Sequence, residues 1–469
     1  MRCFRILGVA AIGAVLVATT PVGAQNASGP VRVSLAEGAD LARQLLIAGN
    51  AIAAREIALA LLQANPNDGE ALLLLAQSNM RLGDGEDALT IARRAWRAAQ
   101  TRRDRFNAAF TIADILASEE SYTRSQLWVR RAIQSAPGPQ TESIAIEAFR
   151  RVRQANPLAI ELGFGVFPSS NVNSGNSNET INFAYLPGPF GEIQWIVPAD
   201  ERPLSGLEIT LQTDLRYRIA ETESSRTSLE FGVFGRTYMM SQDARDAAPD
   251  VTGESLSHVQ ASFGVLHQWF PTGTEIPFSA NLTYTQSWAG GLPSQRGLNG
   301  TLGARFTLDE NDNLAVSASI RYSNRIASDV DVMTYSVRGR WSHTLGNDDV
   351  FGLTGQLSRA TSDVTDLAYR DTTVGVSYDF GPLSIGDQDL GLDLAASYTE
   401  QFRTYETSAY DPAGRDDRIS SLRFDVGFRN IELYGFQPVM SLQANRTNSS
   451  VPRFDTEGAQ IGFNLRSSF

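Results

Sequence analysis

The chain has 469 residues, 40 basic and 52 acidic, for a formal net charge of −12; every basic residue is an arginine and the one cysteine is Cys3. With no lysine there is no phosphate-loop lysine, Schiff base or kinase-type ion pair, and a single cysteine builds neither a disulfide framework nor a thiolate cluster. The acidic balance speaks against a nucleic-acid partner. The three histidines (His258, His267, His343) stand at no zinc-binding spacing and no G-x-S-x-G elbow occurs, so neither catalysis nor a cofactor is expected.

Residues 1–24 read as a secretory signal peptide: Arg2 and Arg5 precede the apolar run Ile6 to Val17, and Val22-Gly23-Ala24 offers a small-residue cleavage site. The run is too short to span a bilayer. Cys3 lies before it, where the lipobox of a lipoprotein does not fall.

The remainder divides near Pro157. Residues 25–156 carry 16 arginines, 14 acids and six aromatics, whereas 157–469 carry 22 arginines, 38 acids and 35 aromatics. In the first part a 34-residue frame places Leu41, Gly49, Ala54, Ala58, Leu61 and Pro66 opposite Leu75, Gly83, Ala88, Ala92, Ala95 and Gln100. That is the tetratricopeptide (TPR) period, with alanines where paired helices pack closely and glycines at the turns. Arg103 to Pro137 makes a third copy after a shift of three residues, and a helix over Thr141 to Ala155 is expected to cap the stack. The concave face of such a stack is expected to present Arg43, Gln77, Arg81 and Asp114 to a partner segment; solvated helix positions explain the same residues.

Beyond Pro157 apolar residues alternate with polar ones, as in Leu314-Val316-Ala318-Ile320-Tyr322 and Leu422-Phe424-Val426-Phe428. Strands are expected near 159–167, 206–218, 224–240, 254–270, 276–288, 296–308, 313–325, 331–345, 349–361, 367–380, 388–402, 417–430, 436–448 and 455–469. The even number, fourteen, suits a closed antiparallel transmembrane β-barrel. With the helical domain periplasmic, the longest connections (168–205, 241–253, 403–416) fall outside and short turns such as 271–275 and 346–348 inside, the expected asymmetry. Charges on the lipid face, Arg359, Glu400 and Arg446, are expected near the outer interface. Together these features place the chain in the cell outer membrane, in contact with its lipid.

The polar face is expected to line the lumen, with Arg216, Arg236, Arg321, Arg338, Arg340, Arg423, Glu230 and Asp379 as candidate residues, beside Arg218, Arg305, Glu161 and Asp425. Mixed charge of this kind serves either a conduit for a polar or unfolded passenger or a salt-bridged brace for the wall. Glycine weakens strand packing, so the pairing of the first strand (Gly163, Gly165) with the last (Phe463, Leu465) is a candidate lateral seam. Terminal Phe469, on an alternating last strand, resembles the signal read by the barrel assembly machinery.

The segment Glu161-Leu162-Gly163-Phe164-Gly165-Val166-Phe167-Pro168-Ser169-Ser170-Asn171-Val172-Asn173 closely resembles the start of the barrel in the surface lipoprotein assembly modifier (Slam) family. That family joins periplasmic TPR repeats to a fourteen-stranded outer-membrane barrel. The resemblance spans essentially the whole mature chain and implies a protein translocator whose cargo is a lipoprotein or related secreted protein. The short repeat domain of about three copies departs from the family pattern. Two alternatives accompany this reading: a passive diffusion channel with a TPR tether, and a polysaccharide exporter, a class built on longer solenoids.

Overall fold

The computed structural model describes residues 34–188, 191–385, 388–431 and 436–467. The expected signal peptide and Phe469 lie outside these residues.

Six helices form three hairpins: α1 (Leu35–Ile47) with α2 (Ala51–Ala64), α3 (Gly69–Arg81) with α4 (Gly85–Ala98), and α5 (Arg102–Ser118) with α6 (Tyr122–Ser135). A seventh, α7 (Pro139–Ala155), closes the stack. Each start has a local cause. Ser34 with Glu37 and Thr101 with Asp104 form capping boxes, Asp68 accepts from two backbone amides, and Pro139 begins α7. Gly49 (φ 82) and Gly83 (φ 86) take the left-handed conformation between the helices of the first two hairpins. In the third hairpin Glu120 does so at φ 57, a conformation that strains a residue with a Cβ.

Ala54, Ala58, Ala88 and Ala92 are wholly buried, as close approach of paired helices requires. Successive first helices α1, α3 and α5 also pack on one another, and so form the inner lining of the stack. The three-residue shift of the third copy has its origin in α5, 17 residues long against 13 in α3. Leu75 is buried but its repeat equivalent Leu41 is exposed, because among the described residues no helix packs on the outer side of α1.

The rest is a closed antiparallel barrel of fourteen strands. They are β1 (Leu158–Ser169), β4 (Gly206–Glu221), β5 (Ser225–Met240), β6 (His258–Trp269), β7 (Phe278–Ala289), β8 (Leu292–Thr307), β9 (Asp312–Arg325), β10 (Val330–Thr344), β11 (Val350–Thr361), β12 (Tyr369–Asp379), β15 (Leu392–Tyr405), β16 (Arg415–Phe428), β17 (Phe436–Ser449) and β18 (Thr456–Ser467). Neighbours in chain order pair, and β1 pairs with β18 to close the ring. We call the end bearing the helical domain proximal and the other distal. The long connections 170–205, 241–257 and 406–414 are distal. The first is not the plain loop expected: it contains a hairpin of β2 (Thr180–Gly188) and β3 (Gly191–Ile196), while the second holds the short helix α8 (Gln242–Ala247). Proximal turns are short except at 380–391, which carries the two-residue pair β13 (Ser384–Ile385) and β14 (Gln388–Asp389).

Register fixes which residues face out. Phe164, Leu211, Phe231, Phe263, Tyr284, Leu298, Val337, Leu357, Val376, Tyr398, Leu422, Leu442 and Ile461 share one parity around the ring and are exposed, as an apolar belt in lipid requires. Outward aromatics gather at proximal strand ends, among them Trp269 with Phe278 (5.8 Å between rings) and Trp341 with Phe351 (6.0 Å). Arg359, Glu400 and Arg446 point outward in the distal part of their strands. Glu400 is covered there, accepting hydrogen bonds from Tyr398, Arg418 and Ser420, so its charge is not bare in the apolar belt.

Candidate functional site: lumen, seam and helical groove

All eight lumen candidates occupy inward positions by register, but they divide into two kinds. On one side the charges are paired. Arg216 meets Glu230 at 2.7 Å, Asn281 donates to the same carboxylate at 2.6 Å, and Arg423 meets Asp425 at 2.9 Å. These brace the wall. Arg236 lies over the Tyr238 ring, 5.9 Å from its centre.

Arg321, Arg338 and Arg340, by contrast, are exposed to the lumen and have no side-chain ion pair or hydrogen bond to a described residue. Arg305 and Arg325, also inward on β8 and β9, share this condition. Asp379 points inward from β12 with no such partner either. The alternation located these residues; which of them pair depends on neighbours that only the ring closure supplies.

The seam candidates come together at the β1–β18 junction, where Gly163 faces Arg466, Phe164 faces Leu465, Gly165 faces Asn464 and Val166 faces Phe463. All of β1 pairs with β4, but among the described residues only Gly163–Val166 and Ser169 pair with β18. Among the described residues Leu158–Glu161, at the proximal end, have their register partners on β4, and Pro168 brings no amide hydrogen to the ladder. The glycines do not act alike. Among the described residues a Cβ on Gly163 would touch only Gln212, at 3.5 Å, whereas on Gly165 it would lie 2.5 Å from the Phe167 ring. On Gly462 it would lie 2.2 Å from the Val166 carbonyl and 2.5 Å from the same ring. Gly165 and Gly462 therefore make a seat for Phe167, a clasp that sequence reading missed because it joins residues about 300 positions apart.

Distally the seam is held shut. Asn171 donates to the carbonyls of Gly175 (3.0 Å) and Glu457 (2.9 Å), Asn176 to that of Pro452 (2.8 Å), and Ser170 N–H to that of Ala459 (3.1 Å). Asn173 braces the first loop internally through Arg202 and Leu204. Arg415 lies between Tyr405 and Phe454, 3.8 Å from each ring centre, and Arg453 lies over Trp195 and Tyr410. These contacts tie three distal loops together.

At the proximal end the helical domain is pinned to the barrel. Arg218 reaches the carbonyls of Gln154 and Ala155, both at 3.1 Å, where a cation satisfies the last carbonyls of α7. Asn156 ties the linker to Thr123 and Gln126 of α6 (3.1 and 2.7 Å). Between the domains lies a cavity of about 1000 Å³, bounded by Gln126, Leu127, Arg150 and Arg153 on the helical side and by Leu158, Ile160, Arg216 and Arg226 on the barrel. It opens beside the proximal end of β1.

Of the four groove candidates, Arg43 and Gln77 line one concave pocket of about 560 Å³ with Phe106, Asn107 and Phe110. Arg43 is already engaged by Asp40 and Glu70, and Gln77 donates to Thr111 at 3.4 Å. Asp114 lies in a neighbouring pocket of about 290 Å³ with Phe110, Tyr122 and Arg151. Water reaches it, yet the enclosing protein raises its carboxyl above the usual range, opposed by the charge of Arg81.

No family model and no curated protein matches the chain. Solved structures match it in parts. The first TPR domain of human RPAP3 is 14% identical, covering 26% of this chain and 91% of that one (TM-score 0.23). A bacterial polysaccharide outer membrane secretin is 9% identical, covering 66% and 98% (TM-score 0.35), and OccAB3 of Acinetobacter baumannii is 11% identical with the same coverage and TM-score. The likeness is thus to helical-repeat proteins in one part and to outer-membrane barrels in the other.

Proposed function

We propose that this protein moves polypeptide passengers, lipoproteins or related secreted proteins, from the periplasm to the cell surface in the manner of surface lipoprotein assembly modifiers. The proximal end faces the periplasm in this reading. The observation that carries it is the inter-domain cavity, because it joins α6 and α7 to the proximal end of β1, the strand at which the ring closes on β18. A passenger bound in the helical groove is thereby delivered to the strand at which the ring closes. Among the described residues the β1–β18 boundary has the fewest register pairs of the ring, which favours opening there.

The first test is surface proteolysis of the exported lipoprotein encoded nearest this gene, in cells with and without the protein. Loss of surface cargo with periplasmic accumulation supports translocation; unchanged exposure removes it. The second uses the register pair Val166 and Phe463. In V166C/F463C, oxidation should stop export and reduction restore it, and full export with the crosslink formed would eliminate the seam as the route.

A further inference from the structure

The inward faces of five consecutive strands, β7 to β11, carry five arginines and no acid. Arg305 and Arg340 flank Ala315 in one row, Arg338 follows two residues along β10, and Arg321 and Arg325 continue up β9. At about 3.4 Å per residue, the span from the row of Ala315 to Arg325 is about 34 Å, enough to run the length of the lumen wall. The rungs are separated by distances comparable to the Debye length of ~10 Å at 0.1 M salt, so their potentials overlap. Inward acids stand elsewhere, on β1, β4, β5, β12, β15 and β16, many of them already paired with their own arginines. In the ring the β9–β10 boundary lies directly opposite the β1–β18 seam, seven strands away in either direction.

A guanidinium stays charged at any working pH and attracts anions wherever no carboxylate satisfies it. These five are exposed, inward and without carboxylate partners among the described residues. Serines 317, 319 and 336 beside them add hydroxyl donors. A wall of one sign in a hydrated pore raises the local concentration of counter-ions and sets selectivity. We propose that the barrel has an activity of its own, independent of any passenger: conduction of small anions along this arginine ladder.

The test is the reversal potential of the purified full-length protein in planar bilayers under a potassium chloride gradient. The expected result is a chloride-to-potassium permeability ratio above one. In R321Q/R338Q/R340Q the ratio falls to one or below with the pore still conducting, while R446Q, on the outer face, leaves it unchanged. Heat-modifiable migration on gels establishes that each variant is folded, and R321Q and R338Q made singly serve if the triple variant is not. A wild-type ratio at or below one, absence of conductance, or a ratio unmoved by loss of the arginines would each overturn the proposal.

Discussion

The clasp at the seam makes a prediction in which three glycines of one interface respond differently to the same methyl group. On Gly462 the added Cβ meets the Val166 carbonyl at 2.2 Å and the Phe167 Cα at 2.8 Å, both backbone atoms that move only if β1 moves. Overpacking of this kind costs about 1–3 kcal/mol. On Gly165 it meets the Phe167 ring (2.5 Å), Asn464 Oδ1 (2.6 Å) and Thr210 Oγ1 (2.6 Å), all side-chain atoms that can rotate aside, so about 1 kcal/mol is expected. On Gly163 the sole contact among the described residues is an ordinary one at 3.5 Å, and alanine should instead gain roughly 0.5–1 kcal/mol from the reduced freedom of the unfolded chain. Urea unfolding in lipid vesicles, followed by tryptophan fluorescence and by heat-modifiable migration, should therefore rank G163A above wild type, then G165A, then G462A. Equal midpoints for G462A and G163A, or the reverse order, would refute the packing of Phe167 into the seam.

Val337 and Ser336 are adjacent at the centre of β10 but face lipid and lumen respectively. V337R should lose about 2–4 kcal/mol of folding stability in vesicles while S336R folds nearly as well as wild type. Replacing Glu120 by glycine removes the strain of its positive φ and should stabilise the helical domain by about 0.5–1 kcal/mol, read as a higher thermal midpoint at 222 nm; an unchanged midpoint counts against the left-handed turn. The Asp114 carboxyl is raised above 3.8 in the folded state, so the folded state binds its proton more tightly than the unfolded one. Stability is then fully present below pH 3.8 and lost as pH climbs through the folded value, so D114N should stabilise the helical domain at pH 7 and give no gain below pH 3.8.

Strand positions and facing were legible because a wall between lipid and water imposes period two: Leu314 to Tyr322 can sit only one way round in β9. The repeat was legible because Ala54 and Ala88 must both be small and Gly49 and Gly83 must both turn left. Pairing was not. Arg216 and Arg321 look alike along the chain, and only the register of β4 with β5 and of β9 with β10 shows that the first has a carboxylate at hand and the second has none. The clasp of Phe167 was hidden for the same reason, since nothing near it in sequence announces Gly462. Nor did the polar run 170–205 betray its hairpin, because its asparagines serve contacts to the loop before β18 as well as local turns.

The fastening at the distal end of the seam has a mechanical consequence. For the strands to part from the distal side, the asparagine bonds, the Phe167 clasp and the stack of Arg453 on Trp195 must all yield first. A pull on the distal loops is thus shared among these contacts before it reaches the ladder of β1 with β18. The distal loops thus act as a latch across the seam.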